Sequence, residues 1–264
     1  MRIGVFDSGL GGLVITKSLM QELPQYDYYY YGDSAHLPYG DKTSGTILNY
    51  TLQAMHYMIA HNCKLIIIAC NTATAVALRY IQQRFLPVYA PQIKVLGVVI
   101  PTEEVATEQG KTHVGVVATK ATVGAHIYRE ELLKINPNCE VLEVAAPELV
   151  PAIEHNDFAA AKEIVHRYST YFKQCQSLIL GCTHYPLVKE FFRRELPEVD
   201  VIAQDELMGK KLADYLYRHP EIESKLTQNR NYTFCVSRKD EYSRQVAELL
   251  FPGIEIHSST EDRS

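Results

Sequence analysis

No stretch of this 264-residue chain is apolar for long enough to cross a membrane. The apolar run from Leu65 to Leu78 is interrupted by Cys70, Asn71, Thr72 and Thr74. No cluster of lysine and arginine marks the chain for nucleic acid or an anionic lipid surface, and the net charge is −5. No pair of its six cysteines has C-x2-C or C-x4-C spacing, so they do not read as a metal site. Nor does a chain of this size need disulfide staples. Cys63/Cys70 and Cys175/Cys182 are each seven apart, which along an extended strand predicts opposite faces. Cys63, Cys139, Cys175 and Cys235 read as inert core or edge residues. Gly9-Leu10-Gly11-Gly12 lacks the third glycine of a dinucleotide fingerprint, since position 14 is Val14, and no phosphate-binding P-loop occurs. The chain starts straight into the strand pattern Arg2-Ile3-Gly4-Val5-Phe6 with no leader-like segment before it, so the expected location is cytoplasmic.

What is present is ordinary globular composition, 47% apolar and 22% charged. The length allows one large domain or two smaller ones. Strand patterns fall at 3–6, 27–31, 65–69, 95–98, 113–117, 140–144, 177–181, 199–202 and 232–236. Helical periodicity falls between them at 12–23, 44–61, 72–85, 122–135, 157–172, 207–218 and 241–250. Asp157 suits a helix N-cap, Pro24 follows the first helix, and the tyrosines at 28–31 read as a strand with partly exposed rings. The tail 258–264 is polar.

This alternation predicts an α/β protein. Arg2-Ile3-Gly4-Val5-Phe6-Asp7-Ser8 is echoed by His113-Val114-Gly115-Val116-Val117-Ala118-Thr119. The offset is 111 for Gly4 to Gly115 and 112 for Cys70 to Cys182. The expectation is two similar doubly wound α/β domains related by a pseudo-twofold axis, with the active site in the cleft between them. The first would hold 1–97 plus 210–264, and the second 98–209.

Cys70 follows Leu65-Ile66-Ile67-Ile68-Ala69, and Cys182 follows Leu178-Ile179-Leu180-Gly181. Each run reads as a buried parallel strand, and each thiol falls at the carboxyl end, where open α/β sheets place ligands. Both cysteines are expected where a strand hands over to a helix. The helix after Cys70 would aim unpaired N–H groups at its sulfur and at an anionic substrate. Two thiols facing one cleft suit chemistry that needs a proton base on each face of a carbon, as racemisation does.

Phe6-Asp7-Ser8-Gly9-Leu10-Gly11-Gly12, Tyr31-Gly32-Asp33-Ser34, Leu37-Pro38-Tyr39-Gly40, Ala69-Cys70-Asn71-Thr72-Ala73 and Gly181-Cys182-Thr183-His184-Tyr185-Pro186-Leu187 together resemble glutamate racemase, of the cofactor-independent aspartate/glutamate racemase group. The likeness spans residues 2–214, with a weaker echo at 234–251. It departs at Val236-Ser237-Arg238-Lys239-Asp240, which is more basic, and at Ala146.

The resemblance implies Cys70 and Cys182 as the two acid/base residues, with Asp7 near the first and His184 near the second. Glu154 matches a family glutamate on the second side, with Glu148 its rival. Substrate-binding positions implied are Ser8, Pro38, Tyr39, Gly40, Asn71, Thr72, Thr119, Thr122 and Thr183. The implied reaction interconverts L- and D-glutamate without cofactor or metal and supplies peptidoglycan synthesis. The expected partners are glutamate and a second copy of the chain in a homodimer, with no nucleic acid and no membrane.

Plainer roles stand beside these. Asp7 suits a cap for the helix start at Gly11–Gly12, His184 a core histidine, Glu154 a helix-end charge, and the threonines caps of helix starts. Other readings of the whole are aspartate racemase or a related isomerase, and a non-catalytic amino-acid-binding module.

Overall fold

The computed structural model describes residues 1–259, without the Gln109 side chain; residues 260–264, the end of the polar tail and of the expected first domain, lie outside the described residues. Strands β1 (Arg2–Asp7), β2 (Tyr28–Gly32), β3 (Cys63–Ile68), β4 (Lys94–Gly97), β5 (His113–Ala118), β6 (Glu140–Ala145), β7 (Ser177–Gly181), β8 (Asp200–Ile202) and β9 (Tyr232–Val236) match the expected ones. A tenth, β10 (Ile256–Ser258), was not expected.

The strands form two sheets, β10-β9-β2-β1-β3-β4 and β6-β5-β7-β8. All pairings are parallel. The order β2-β1-β3-β4 recurs as β6-β5-β7-β8. The register recurs too: Gly4 pairs with Ile66, and Gly115 with Leu178. These are the offsets seen in the sequence repeat. The C-terminal strands β9 and β10 extend the first sheet beyond β2.

Helices α1 (Gly12–Glu22), α2 (Ser44–Ala60), α3 (Asn71–Tyr80), α4 (Leu86–Tyr89), α5 (Val99–Ala106), α6 (Lys120–Gly124) and α7 (Ile127–Ile135) connect the strands up to β6. They are followed by α8 (Leu149–Glu154), α9 (Phe158–Ser169), α10 (Lys189–Glu195), α11 (Met208–Arg218), α12 (Pro220–Glu223) and α13 (Glu241–Leu250). Several starts are fixed by side chains, as the sequence led one to expect at Asp157. Its carboxylate accepts from the Ala160 N–H at 2.9 Å. Two expected helices are broken. The one at 72–85 begins at Asn71 and passes through a π turn at Ile81–Phe85 into α4. The one at 122–135 splits at His126, whose φ of 53° is left-handed.

Burial on both faces explains the unbroken apolar runs of the strands. Leu65 and Ile67 point into one buried cluster, and Ile66 and Ile68 into another with Met55 and Met58 of α2. The first cluster also takes Val116 and Ile179 from the second sheet, so a shared core joins the sheets. Each such aliphatic side chain contributes roughly 1.5–3 kcal/mol on burial.

The same coverage corrects the reading of the tyrosines. Tyr28, Tyr29, Tyr30 and Tyr31 are all buried, because helices cover both faces of β2. Their phenols stay satisfied inside: Tyr30 donates to Gly9 O at 2.7 Å and Tyr28 to Leu23 O at 3.1 Å. The cysteine faces are also corrected. Cys63 and Cys70 join one cluster, and Cys175 packs against the cluster holding Cys182. The register slips between Cys63 and Leu65, and Cys70 and Cys182 lie past the ends of their strands, so strand alternation does not reach them.

Candidate active site

Cys70 and Cys182 line one cavity. They enter it from the carboxyl ends of β3 and β7, one from each sheet. Ser8, Pro38, Tyr39, Gly40, Asn71, Thr72, Thr119, Thr183 and His184 line the same cavity. Asp7, Glu154 and Thr122 do not line it and stand behind residues that do.

Cys70 is the N-cap of α3, and its sulfur accepts from the Ala73 N–H at 3.4 Å. Its thiol donates to Ser8 Oγ at 3.2 Å. The helix start was expected to favour the thiolate. Burial and the nearby Asp7 outweigh it and push the Cys70 thiol up to about 12. Cys182 has a different neighbourhood. No α-helix starts at it; a 3-10 turn at Tyr185–Val188 comes first and leads into α10. Its sulfur instead faces His184 Nδ1 at 3.9 Å.

His184 Nε2 lies 3.1 Å from Glu154 Oε1, at ion-pair distance though not aligned for a hydrogen bond. Burial opposes a charge on this imidazole, but Cys182 and Glu154 prevail and hold it well above the usual histidine range. Glu148 points away, receiving Arg167 and Tyr168 at the surface.

Asp7 ends β1 and is fully buried. Its Oδ2 accepts from the Gly9 N–H at 3.0 Å and its Oδ1 from the Thr183 hydroxyl at 3.3 Å. Burial raises its carboxyl, against the lowering pull of His184 and the Gly12 and Gly9 amides. The glycine-rich turn makes room for this group. A Cβ on Gly12 would fall 2.4 Å from Asp7 Cβ, and one on Gly11 2.6 Å from Thr183 Oγ1.

Hydroxyls close the far wall. Thr72 Oγ1 lies 2.9 Å from Thr119 Oγ1 and 3.1 Å from Thr122 Oγ1, and these two are 2.9 Å apart. The triangle joins the start of α3 to the start of α6, and Thr119 also caps α6. Tyr39 donates to Asp33 Oδ2 at 2.7 Å, and burial with that carboxylate pushes its phenol up. Gly40 lies against Thr119, where a Cβ would sit 2.8 Å from the threonine Cβ. At the rim, Lys120 Nζ is 4.0 Å from Asp41 Oδ1.

Sequence reasoning missed Gln204, Tyr128 and the rim pair Asp41 and Lys120. Gln204 had a signal: it lies just past the carboxyl end of β8, as the cysteines do past theirs. Among the described residues no group of three or more His, Cys, Asp or Glu side chains could hold a metal ion, and no helix is long and apolar enough to cross a membrane.

Residues 14–204 match the family model described as Asp/Glu/Hydantoin racemase. The chain belongs to the Asp/Glu/Hydantoin racemase family. Within that family it is 39% identical over 238 residues to a glutamate racemase of Ruegeria pomeroyi, covering 84% of this chain and 87% of the relative. A glutamate racemase of Cereibacter sphaeroides is 37% identical over 249 residues, covering 88% and 91%. The crystal structure of Francisella tularensis glutamate racemase with D-glutamate superposes with a TM-score of 0.86 at 35% identity, covering 98% of this chain and 96% of that one.

Proposed function

We propose that this protein interconverts L- and D-glutamate by moving the α-proton between two cysteines. The observation that carries the reading is the pair of thiols on opposite strands of a duplicated fold, lining one cavity in unlike surroundings. The glutamate substrate comes from the relatives' names, among them one whose structure holds D-glutamate.

In the resting form Cys70 keeps its proton, held there by burial and Asp7. Cys182 is the base, with the His184 imidazolium as counter-charge for its thiolate. The Cys182 thiolate takes the α-proton from one face of the carbon, and the Cys70 thiol returns a proton to the other. The enzyme then holds a Cys70 thiolate and a Cys182 thiol, the form that fits the other enantiomer. Turnover in that direction, or proton exchange with water, restores the first form. Hydroxyls of Ser8, Thr72, Thr119 and Thr183, the Asn71 amide and the Tyr39–Gly40 turn hold the ammonium and carboxylates. Asp7, Glu154 and Thr122 act from behind. The product would serve peptidoglycan synthesis in the cytoplasm.

The test is incubation with L-glutamate, and separately with L-aspartate, in D2O without added cofactor. Loss of optical rotation with deuterium at Cα for glutamate is the expected result. The same outcome for aspartate alone would move the assignment to aspartate racemase. No exchange with either, in a folded protein, would leave an amino-acid-binding module.

A further inference from the structure

Gln204 is fully buried and meets Asn71 through a reciprocal pair of amide hydrogen bonds. The direction of this pair is anchored from outside the site. The carbonyl of Val98 can only accept, and the Thr102 hydroxyl donates to it at 2.6 Å. Thr102 Oγ1 is therefore left as an acceptor. The Gln204 atom beside it, 3.2 Å from Thr102 Oγ1 and 3.5 Å from Val98 O, must be the donor Nε2. Nε2 then also donates to Asn71 Oδ1 at 2.9 Å, and Gln204 Oε1 accepts from Asn71 Nδ2 at 2.8 Å. The Tyr128 hydroxyl donates to the same Asn71 Oδ1 at 2.5 Å.

Both lone pairs of Asn71 Oδ1 are thus in use, and one Nδ2 hydrogen is bound to Gln204. A single Nδ2 hydrogen remains, on a residue that lines the cavity. We propose that Gln204 and Tyr128 are positioning residues, which lock the Asn71 amide so that it offers the cavity a donor and never its carbonyl. The group served is a carboxylate of the substrate, so the inference rests on the proposed amino-acid reading. A flipped amide would aim a carbonyl oxygen at that carboxylate. Gln204 reaches Asn71 from beyond β8 and Tyr128 reaches it from α7, so the second sheet's side of the molecule sets a donor at the start of α3.

A double-mutant cycle on KM tests this. Gln204→Met and Tyr128→Phe should each raise KM for either enantiomer about tenfold, as for a lost hydrogen bond to a charged group. Their effect on kcat should stay under about threefold. In an Asn71→Ala background the same substitutions should change KM by less than about twofold, because the group they orient is gone. Equal effects in both backgrounds would mean a merely structural role and overturn the proposal. An unchanged KM in Tyr128→Phe, with a raised one in Asn71→Ala, would overturn it while leaving the substrate reading intact. Asn71→Ala with wild-type KM would overturn it in the same way; only a wild-type protein that does not racemise would remove the reading beneath it as well. If circular dichroism shows Gln204→Met unfolded, Tyr128→Phe carries the cycle alone.

Discussion

Glu154 places Oε1 3.1 Å from Nε2 of His184, whose other ring nitrogen faces the sulfur of Cys182. Thiol, imidazole and carboxylate therefore follow one another, from the cavity into the protein. The carboxylate helps hold the ring cationic. Glu154→Gln removes that charge and keeps the shape. His184 then loses its proton at lower pH, so the basic limb of the kcat/KM profile should shift to lower pH. At neutral pH activity should fall by about tenfold, a fraction of what full acid/base catalysis supplies. A pH–rate profile of wild type and variant checks both; an unmoved basic limb would contradict the arrangement.

Cys70→Ser and Cys182→Ser should each reduce two-way racemisation by roughly 10² to 10⁴-fold, since a hydroxyl is a far weaker acid than a thiol. Far-UV circular dichroism should be unchanged, because serine fits each space. Persisting turnover in both directions in either variant would end the two-thiol account.

Gly12→Ala tests the glycine-rich turn. The added methyl would meet Asp7 Cβ at 2.4 Å, and a buried, hydrogen-bonded carboxylate has nowhere to swing. Destabilisation of about 1–3 kcal/mol is expected, as for other overpacked sites. Urea unfolding measures it, and a midpoint equal to wild type would show that the turn yields.

Glu103 is fully buried on α5, and neither of its oxygens has a hydrogen-bond partner among the described residues. Burial, with Glu131 nearby, pushes its carboxyl up to about 9. The folded state thus holds a proton the unfolded chain releases earlier. This contribution to stability is complete below the ordinary glutamate range and is lost as pH rises through about 9. Glu103→Gln should abolish that loss and stabilise the protein at alkaline pH by on the order of a few kcal/mol. Melting temperatures across the pH range should diverge upward from the wild type; parallel curves would refute the assignment.

Strands were legible where apolar runs were long and flanked by helical periodicity. Residues 65–69 and 177–181 therefore led to their two cysteines, because strand ends are where parallel sheets open. Strand β10 is only Ile256–Ser258, too short to carry a pattern. The tyrosine strand was misjudged because rings with hydroxyls look amphipathic until their carbonyl partners, such as Gly9 O, are known. The break at His126 leaves no mark in the periodicity on either side. Gln204 carried only its place past the end of β8; its role lies in the partners it meets, and Asn71 is 133 positions away. Asp7 and His184 were reached only through the resemblance, since a lone carboxylate or imidazole has no spacing of its own.

The repeated strand order has one further consequence. Overlaying the halves by the register shared by Gly4 and Gly115 sets Asp7 against Ala118, and by the two thiols sets Thr72 against His184. The scaffold is nearly even-handed, but the electric fields at its two sulfurs are not. Mirror-image substrates have equal free energy in water, so kcat/KM must be the same in both directions at every pH. The imbalance can show only as a faster kcat matched by a weaker KM for one enantiomer. Handedness here is expressed as a trade between speed and saturation, with no net preference for either hand.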